Sequence, residues 1–232
     1  MNKDLLTHGE ISVEGRLVDA SNATLFVSIK NESDEMRAIY KPIVGERPLW
    51  DFPDGNLASR ERAAYLISEA LDIKCVPRTI LRDGPFGLGA VQEWIDVDDS
   101  VDLEEYFRED RPELRLVALF DAIINNTDRK IGHLLPREDG KLLVCDHGVT
   151  FHVDNKLRTV LWQWSGQELN SDERTRIEEL LRKIDTHEIE ELPDLITSAE
   201  IDALCQRCNV LLKNNTFPEP SADWPHIPWP PF

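Results

Sequence analysis

Two short polar stretches hold the residues best suited to chemistry. One is Asn125-Asn126-Thr127-Asp128-Arg129-Lys130-Ile131-Gly132-His133, and the other, about a dozen residues on, is Cys145-Asp146-His147-Gly148. Each sets a carboxylate on a turn between apolar segments. Two carboxylates so placed suit phosphoryl transfer, in which one orients a nucleophile and the other holds Mg²⁺. A plainer reading makes Asp128 a helix-end cap and Asp146 a turn residue. The rest of the chain has to supply a phosphate-neutralising cation, a partner to hold it and a nucleotide pocket.

The elements that would position these groups follow from hydrophobic periodicity. Glu113 to Ile124 carries Leu114, Val117, Ala118, Phe120, Ala122 and Ile124 in a strongly apolar helix, stopped by Asn125-Asn126. Leu134-Leu135 and Leu142-Leu143-Val144 flank a turn at Glu138-Asp139-Gly140, a hairpin with Asp128 and Asp146 at its opposite ends. Upstream, short alternating runs between His8 and Lys30 predict a β-hairpin or meander. Its polar turn, Asp19 to Thr24, is either an ordinary turn or one that offers backbone N–H groups to phosphates.

A further strand, Arg37 to Ile43, carries Lys41, which either faces solvent or clamps a phosphate. Leu57 to Leu71 reads as an amphipathic helix capped by Ser59 or Asn56, with Glu61 in its first turns. An exposed salt bridge is the bland role for Glu61. Yet a strand lysine followed about twenty residues later by an early helical glutamate is also the order of the Lys–Glu pair in kinases. Cys75 to Ile80 and Gly87 to Ile95 predict two strands joined by the turn Arg82-Asp83-Gly84-Pro85. The second runs into the acidic Asp96-Val97-Asp98-Asp99-Ser100, a composition shift that marks a hinge. Its backbone could meet an adenine edge near Trp94 or Ile95, and a plain buried strand end fits equally well.

Beyond the hairpin, helices are predicted from Ser171 to Ile184, opening with Ser171-Asp172-Glu173 at its cap, and from the capping box Thr197-Ser198-Ala199-Glu200 to about Leu212. Phe217 to Phe232 holds six prolines with Trp224 and Trp229, an extended segment that lies on the surface or engages a partner.

Composition bounds the function. The 232 residues, 41% hydrophobic, suffice for a sizeable core. A net charge of −18 leaves no basic excess to displace counterions from nucleic acid, and no Lys/Arg cluster suits an anionic membrane. With no apolar run of membrane length and no apolar core after Met1-Asn2-Lys3-Asp4, a cytoplasmic location is expected. Cys205-Gln206-Arg207-Cys208 falls in a helical pattern without a second C-x-x-C, so Cys75, Cys145, Cys205 and Cys208 read as structural rather than zinc-binding or redox-active.

Asn126-Thr127-Asp128 followed by Asp146-His147-Gly148, with Lys41 and Arg60-Glu61-Arg62-Ala63-Ala64-Tyr65 upstream, resembles the phosphatidylinositol 3-/4-kinase superfamily. It is most similar to the compact bacterial branch that includes HipA-like kinases and to a family of uncharacterised bacterial kinase-like proteins. The resemblance spans roughly residues 9 to 213 and rests on the order and spacing of short motifs. It implies an α+β, two-lobed protein-kinase-like fold. Residues 1–96 would form a lobe of antiparallel sheet with one helix, 97–213 a mostly helical lobe, and 214–232 an extended tail, with an ATP cleft between the lobes.

By the same resemblance Ser21, Asn22 and Thr24 match the phosphate-covering loop, Lys41 the nucleotide-phosphate lysine and Glu61 its helical partner. Glu93, Trp94 and Ile95 match the adenine-binding hinge, Asp128 the catalytic aspartate and Asp146 the metal-binding aspartate. The chain departs from the pattern at His133, where relatives usually carry an asparagine as second Mg²⁺ ligand, and at His147. Imidazole suits softer metals such as Mn²⁺, so either Mg²⁺ or Mn²⁺ is expected, held by Asp146 and His133.

The expected function is transfer of the ATP γ-phosphate to a hydroxyl of a protein or soluble metabolite rather than a lipid. Asp128 would receive or orient the acceptor proton, with Lys41, Arg129 and Lys130 neutralising the transferring group. A nucleotide-binding pseudokinase and an AMP transferase use the same residues. The segment Val149 to Trp162 stands where kinases present the acceptor, with Lys156 and Arg158 able to receive an anionic group, although Trp162 and Trp164 also suit a docking role.

Overall fold

A computed structural model describes residues 3–17 and 22–232. Helix α1 (Lys3–His8) precedes strands β1 (Glu10–Arg16), β2 (Leu25–Lys30) and β3 (Glu35–Pro42). Helix α2 (Leu57–Ala70) leads to β4 (Thr79–Gly84) and β5 (Gly87–Glu93). All neighbouring strands pair antiparallel, in the order β1-β2-β3-β5-β4. Side chains alternate across such a sheet. Leu25, Val27, Ile29, Ala38, Tyr40 and Val91 therefore share one face, which closes over Leu5 and Leu6 of α1. Lys41, one residue from Tyr40, must point the other way, toward α2.

The second lobe contains α3 (Leu103–Tyr106), α4 (Pro112–Ile124), the hairpin β6 (Leu134–Pro136) and β7 (Leu142–Val144), then α5 (Ser171–Asp185), α6 (Leu192–Leu195) and α7 (Ser198–Asn214). Pro112 starts α4, where a missing N–H costs nothing, and Asn125 ends it in the left-handed region at φ 53°. Thr197 and Glu200 form the capping box of α7 as read from sequence. The cap of α5 is Asn170 paired with Glu173, one residue earlier than expected.

Helix α2 belongs to two lobes at once. Its Ala63, Ala64 and Ile67 are buried in the same apolar core as Leu114, Phe120, Ile177 and Leu204 of the helical lobe. A helix that carries an N-lobe side chain is thereby fixed to the C-lobe.

The α+β, two-lobed architecture is the one expected, with local corrections. The predicted strand Cys75 to Ile80 instead begins at Thr79 and runs through Arg82 and Asp83 to Gly84. Pro77 cannot donate to a ladder, and the Cys75 N–H is taken by the Ser68 hydroxyl at 2.9 Å. The hairpin turn accordingly moves to Pro85-Phe86. Helix α1 was not anticipated. The polar turn from Asp19 to Thr24 is described only from Asn22 onward. No helix among the described residues is long and apolar enough to cross a membrane.

The proline-rich tail is extended along the helical lobe. Ile131 N–H donates to Pro231 O at 2.8 Å, and Thr159 N–H and Trp162 Nε1 both donate to His226 O at 3.0 Å. It thus binds the Asp128 loop and the segment after Asp146 together. Deleting residues 219–232 removes three hydrogen bonds worth about 1 kcal/mol each, so differential scanning fluorimetry should show a melting temperature lower by roughly 5–10 °C.

Candidate functional site

Lys41 is the centre of the N-lobe side. Its ammonium bonds the Glu61 carboxylate and lies 3.0 Å from Asp146 Oδ1, so it bridges the two lobes. Glu61 comes from the second turn of α2, whose start is doubly capped. Asn56 Oδ1 accepts from Ser59 N at 2.7 Å, and the Glu46 carboxylate accepts from Leu57 N and Ala58 N at 2.9 and 2.8 Å. Gly148 permits the close approach of α2 to the Asp146 loop, because a Cβ there would meet Leu57 Cβ at 3.2 Å. Burial alone would lower the Lys41 ammonium, but Asp146 and Glu61 outweigh it and raise it above its usual range.

The Asp128 loop is held by side chains rather than by a helix or strand. Asn125 Nδ2 donates to His152 O and Asp154 O at 2.9 and 2.7 Å. Asn126 Nδ2 donates to Asp121 Oδ1 at 2.9 Å, while its Oδ1 accepts from Asp128 N at 3.0 Å. Thr127 Oγ1 donates to Val149 O at 2.8 Å. These bonds leave the Asp128 carboxylate facing the cleft between two cations, Lys130 Nζ at 3.6 Å and an Arg158 Nη2 at 3.7 Å. Burial raises the Asp128 pKa, partly opposed by Lys130.

Asp146 takes a left-handed conformation at φ 62°, which aspartate tolerates better than bulkier residues. Its side chain remains 54% exposed to the cleft. Lys41, working against burial, holds this carboxyl below the usual carboxylate range. On its other side His133 Nε2 stands 3.5 Å from Asp146 Oδ2. His133 Nδ1 accepts from Lys130 N at 3.4 Å, which leaves the ring proton on Nε2, directed at Asp146. Burial pushes this imidazole down to about 4, so the ring is neutral at pH 7. In this tautomer the Nε2 proton faces Asp146 without a hydrogen bond to it, and binding a metal through Nε2 requires the other tautomer.

Lys41, Glu61, Asp128, Lys130, His133 and Asp146 line one cavity of about 150 Å³, roofed by Asn22 and Thr24. Ser21 lies outside the described residues. Glu93 and Trp94 are elsewhere, lining a shallow pocket with Arg37 and Asp96 where Trp94 packs edge-on against Phe26 at 4.9 Å. Ile95 follows them at the lobe junction. Among the described residues no three His, Cys, Asp or Glu side chains converge on a metal position. A divalent ion here would rest on the half-open Asp146 carboxylate together with ligands from outside the chain, a donor set that suits an ion carried in with phosphates.

Arg129 does not reach the cleft. It is fully buried, bonds both oxygens of Asp121 at 3.0–3.2 Å, and donates to Cys145 O at 2.8 Å and to His147 at 2.7 Å. Sequence reading missed Asp121, hidden in the apolar run of α4, and Glu46, the cap of α2. The available signal for Asp121 was an acid inside the otherwise apolar run Leu116 to Ile124, eight residues before an arginine.

No model of a known protein family matches the chain. Among curated proteins it is 40% identical over 263 residues to Protein Rv2133c of Mycobacterium tuberculosis, an alignment that covers 98% of this chain and 94% of that protein. The chain belongs to the family of Rv2133c. That name carries no activity, so membership leaves function to be argued from the site. Solved structures share the fold at low identity. The proinflammatory kinase CtkA of Helicobacter pylori is 13% identical with a TM-score of 0.51, covering 90% of this chain and 93% of its own. Hydra Fam20, solved with sugar, is 14% identical with a TM-score of 0.56, covering 91% and 86%. The Golgi casein kinase with Mn/ADP bound is 11% identical with a TM-score of 0.57, covering 90% and 73%. The chain thus shares a kinase-like, two-lobed fold with these proteins.

The Arg129–Asp121 pair can be separated from the cleft experimentally. Arg129→Ala strands a buried carboxylate and should cost about 3–5 kcal/mol in denaturant unfolding, whereas Lys130→Ala at the cavity wall should stay within about 0.5 kcal/mol.

Proposed function

We propose that the chain is an ATP-dependent phosphotransferase that moves the γ-phosphate to a hydroxyl of a protein or soluble metabolite. The observation that carries this reading is Lys41 bridging Glu61 and Asp146 in a cavity that also holds the Asp128 carboxylate. A cation clamped by two carboxylates from different lobes is what neutralising a nucleotide phosphate requires. Asp146 would hold Mg²⁺ or Mn²⁺ arriving with the nucleotide; when bound, that ion shields phosphate charge and aligns the leaving group.

The chain's own residues do the rest. Asp128 accepts the acceptor's O–H proton as its oxygen forms a bond to the γ-phosphorus. The bond from that phosphorus to the β–γ bridging oxygen breaks, ADP leaves with its charge countered by Lys41, and Asp128 later returns the proton to solvent. The raised pKa of Asp128 makes it a better base than an ordinary aspartate. Asn22 and Thr24 would cover the phosphates, and Glu93 to Ile95 would flank the base. Lys130 remains available to the transferring group, whereas Arg129 supports the loop from behind.

The acidic character of the chain, −18 overall, favours a soluble or protein acceptor over an anionic lipid surface. The finer affiliation with the phosphatidylinositol 3-/4-kinase-like and HipA-related branch rests on motif order alone. The Mn/ADP complex of the Golgi casein kinase supports a nucleotide and divalent ion in the same fold. One observation favours nucleotide binding without transfer as a second reading: the Nε2 proton of His133 faces Asp146, and that nitrogen has to give it up before it can serve as the second metal ligand.

Release of ADP from ATP, measured with Mg²⁺ and with Mn²⁺, should fall by about 10²–10⁴-fold in Asp128→Asn. An unchanged rate sinks the catalytic assignment, and wild-type binding without turnover favours the second reading. Because burial raises Asp128, the acid limb of kcat/KM should lie above the ordinary aspartate value of about 3.9 and vanish from the residual activity of that variant.

A further inference from the structure

His147 has no assigned role in the chemistry, yet its ring lies between the two halves of the site. Its Nε2 is 2.7 Å from an Arg129 Nη2. A guanidinium can only donate, so Nε2 accepts and the ring proton belongs to Nδ1. Nδ1 faces Glu61 Oε2 at 3.8 Å. Both atoms are buried, and among the described residues neither has a hydrogen-bond partner. Phe120, edge-on with ring centroids 5.6 Å apart, fixes the plane of the imidazole. Two orphaned polar atoms of complementary type, aimed at each other in a buried setting, are costly to leave apart and stabilising once joined.

We infer that His147 is a positioning residue that ties the Lys41–Glu61 pair of the N-lobe to the Asp121–Arg129 pair under the catalytic loop, through Nδ1–H toward Glu61 and Nε2 toward Arg129. One oxygen of Glu61 holds Lys41, and the other faces the His147 ring at 3.8 Å, with the His147 backbone N–H also acting on this carboxylate. The imidazole thereby limits how far Glu61, and the ammonium on it, can swing from Asp146. Its effect on nucleotide binding rests on the reading of the cleft as an ATP site, whereas its effect on Lys41 does not.

Two amide substitutions cut the two arms separately. In His147→Asn the amide nitrogen stands near the position of Nδ1 and keeps a donor for Glu61, while the contact with Arg129 is lost. In His147→Gln the amide oxygen reaches the position of Nε2 and keeps an acceptor for Arg129, while the contact with Glu61 is lost. Lys41 is then labelled with an amine-acylating reagent and its rate followed by mass spectrometry, alongside the melting temperature and the KM for ATP.

The expected result is faster Lys41 labelling, about threefold or more, and a raised KM for ATP in His147→Gln at a melting temperature close to wild type. His147→Asn should show near-wild-type labelling and a lower melting temperature. Equal Lys41 labelling in wild type and both variants overturns the inference and leaves His147 a packing residue. Should the wild type neither bind nor turn over ATP, the proposed function fails, and the labelling rates still decide the role of His147.

Discussion

The site depends on one ion pair that never meets solvent. Asp121 and Arg129 are both fully buried, and the guanidinium uses its remaining donors on Cys145 O and His147. An isolated charge in such a place would cost several kcal/mol, so neither partner is tolerable without the other. Their pairing joins three pieces of chain that have no ladder between them: helix α4, the loop bearing Asp128 and the loop bearing Asp146. Asn126 adds a second contact to Asp121 and a bond to Asp128 N, so the carboxylate in the cleft is oriented by the buried one beneath it. A fork of donors in fixed geometry does this where a lysine would not.

The second constraint is the double allegiance of α2. Its glutamate serves the sheet lobe, through Lys41, while its apolar side packs in the core of the helical lobe. Arg60 strengthens that attachment, donating to Thr150 O at 2.8 Å and pairing with Glu200 of α7 at 2.6 Å. The Lys41–Glu61–Asp146 contact is therefore made between parts that are already held together. Such preorganisation is what electrostatic stabilisation of phosphoryl transfer needs, since the charges do not have to rearrange during the reaction.

Much of this was legible in the residues, for identifiable reasons. Strand alternation showed Lys41 embedded in an apolar run, and helical period showed Glu61 early in the next element. Polar turns at helix and hairpin ends isolated Asp128 and Asp146. The structure gathers these four into one cavity, but pattern alone could not say which way a neighbour points. Arg129, next to Asp128 in sequence, turns inward because Asp121 waits beneath it, and an acid inside an apolar helix carries no periodic signal. The strand at Cys75 failed because Pro77 has no N–H for a ladder and the Ser68 hydroxyl takes the N–H groups of Cys75 and Val76. The hinge residues were read from a composition shift, which locates a junction without indicating whether its side chains face the phosphate cavity.

The central claim is that Lys41 and Asp146 together receive a nucleotide and its metal. Calorimetric titration of ADP into the protein, with and without Mn²⁺, and into Asp146→Asn tests it most directly. Binding should tighten when the ion is present, and that dependence should disappear in the variant. Binding that is the same with and without the ion, or no binding in either condition, would contradict it.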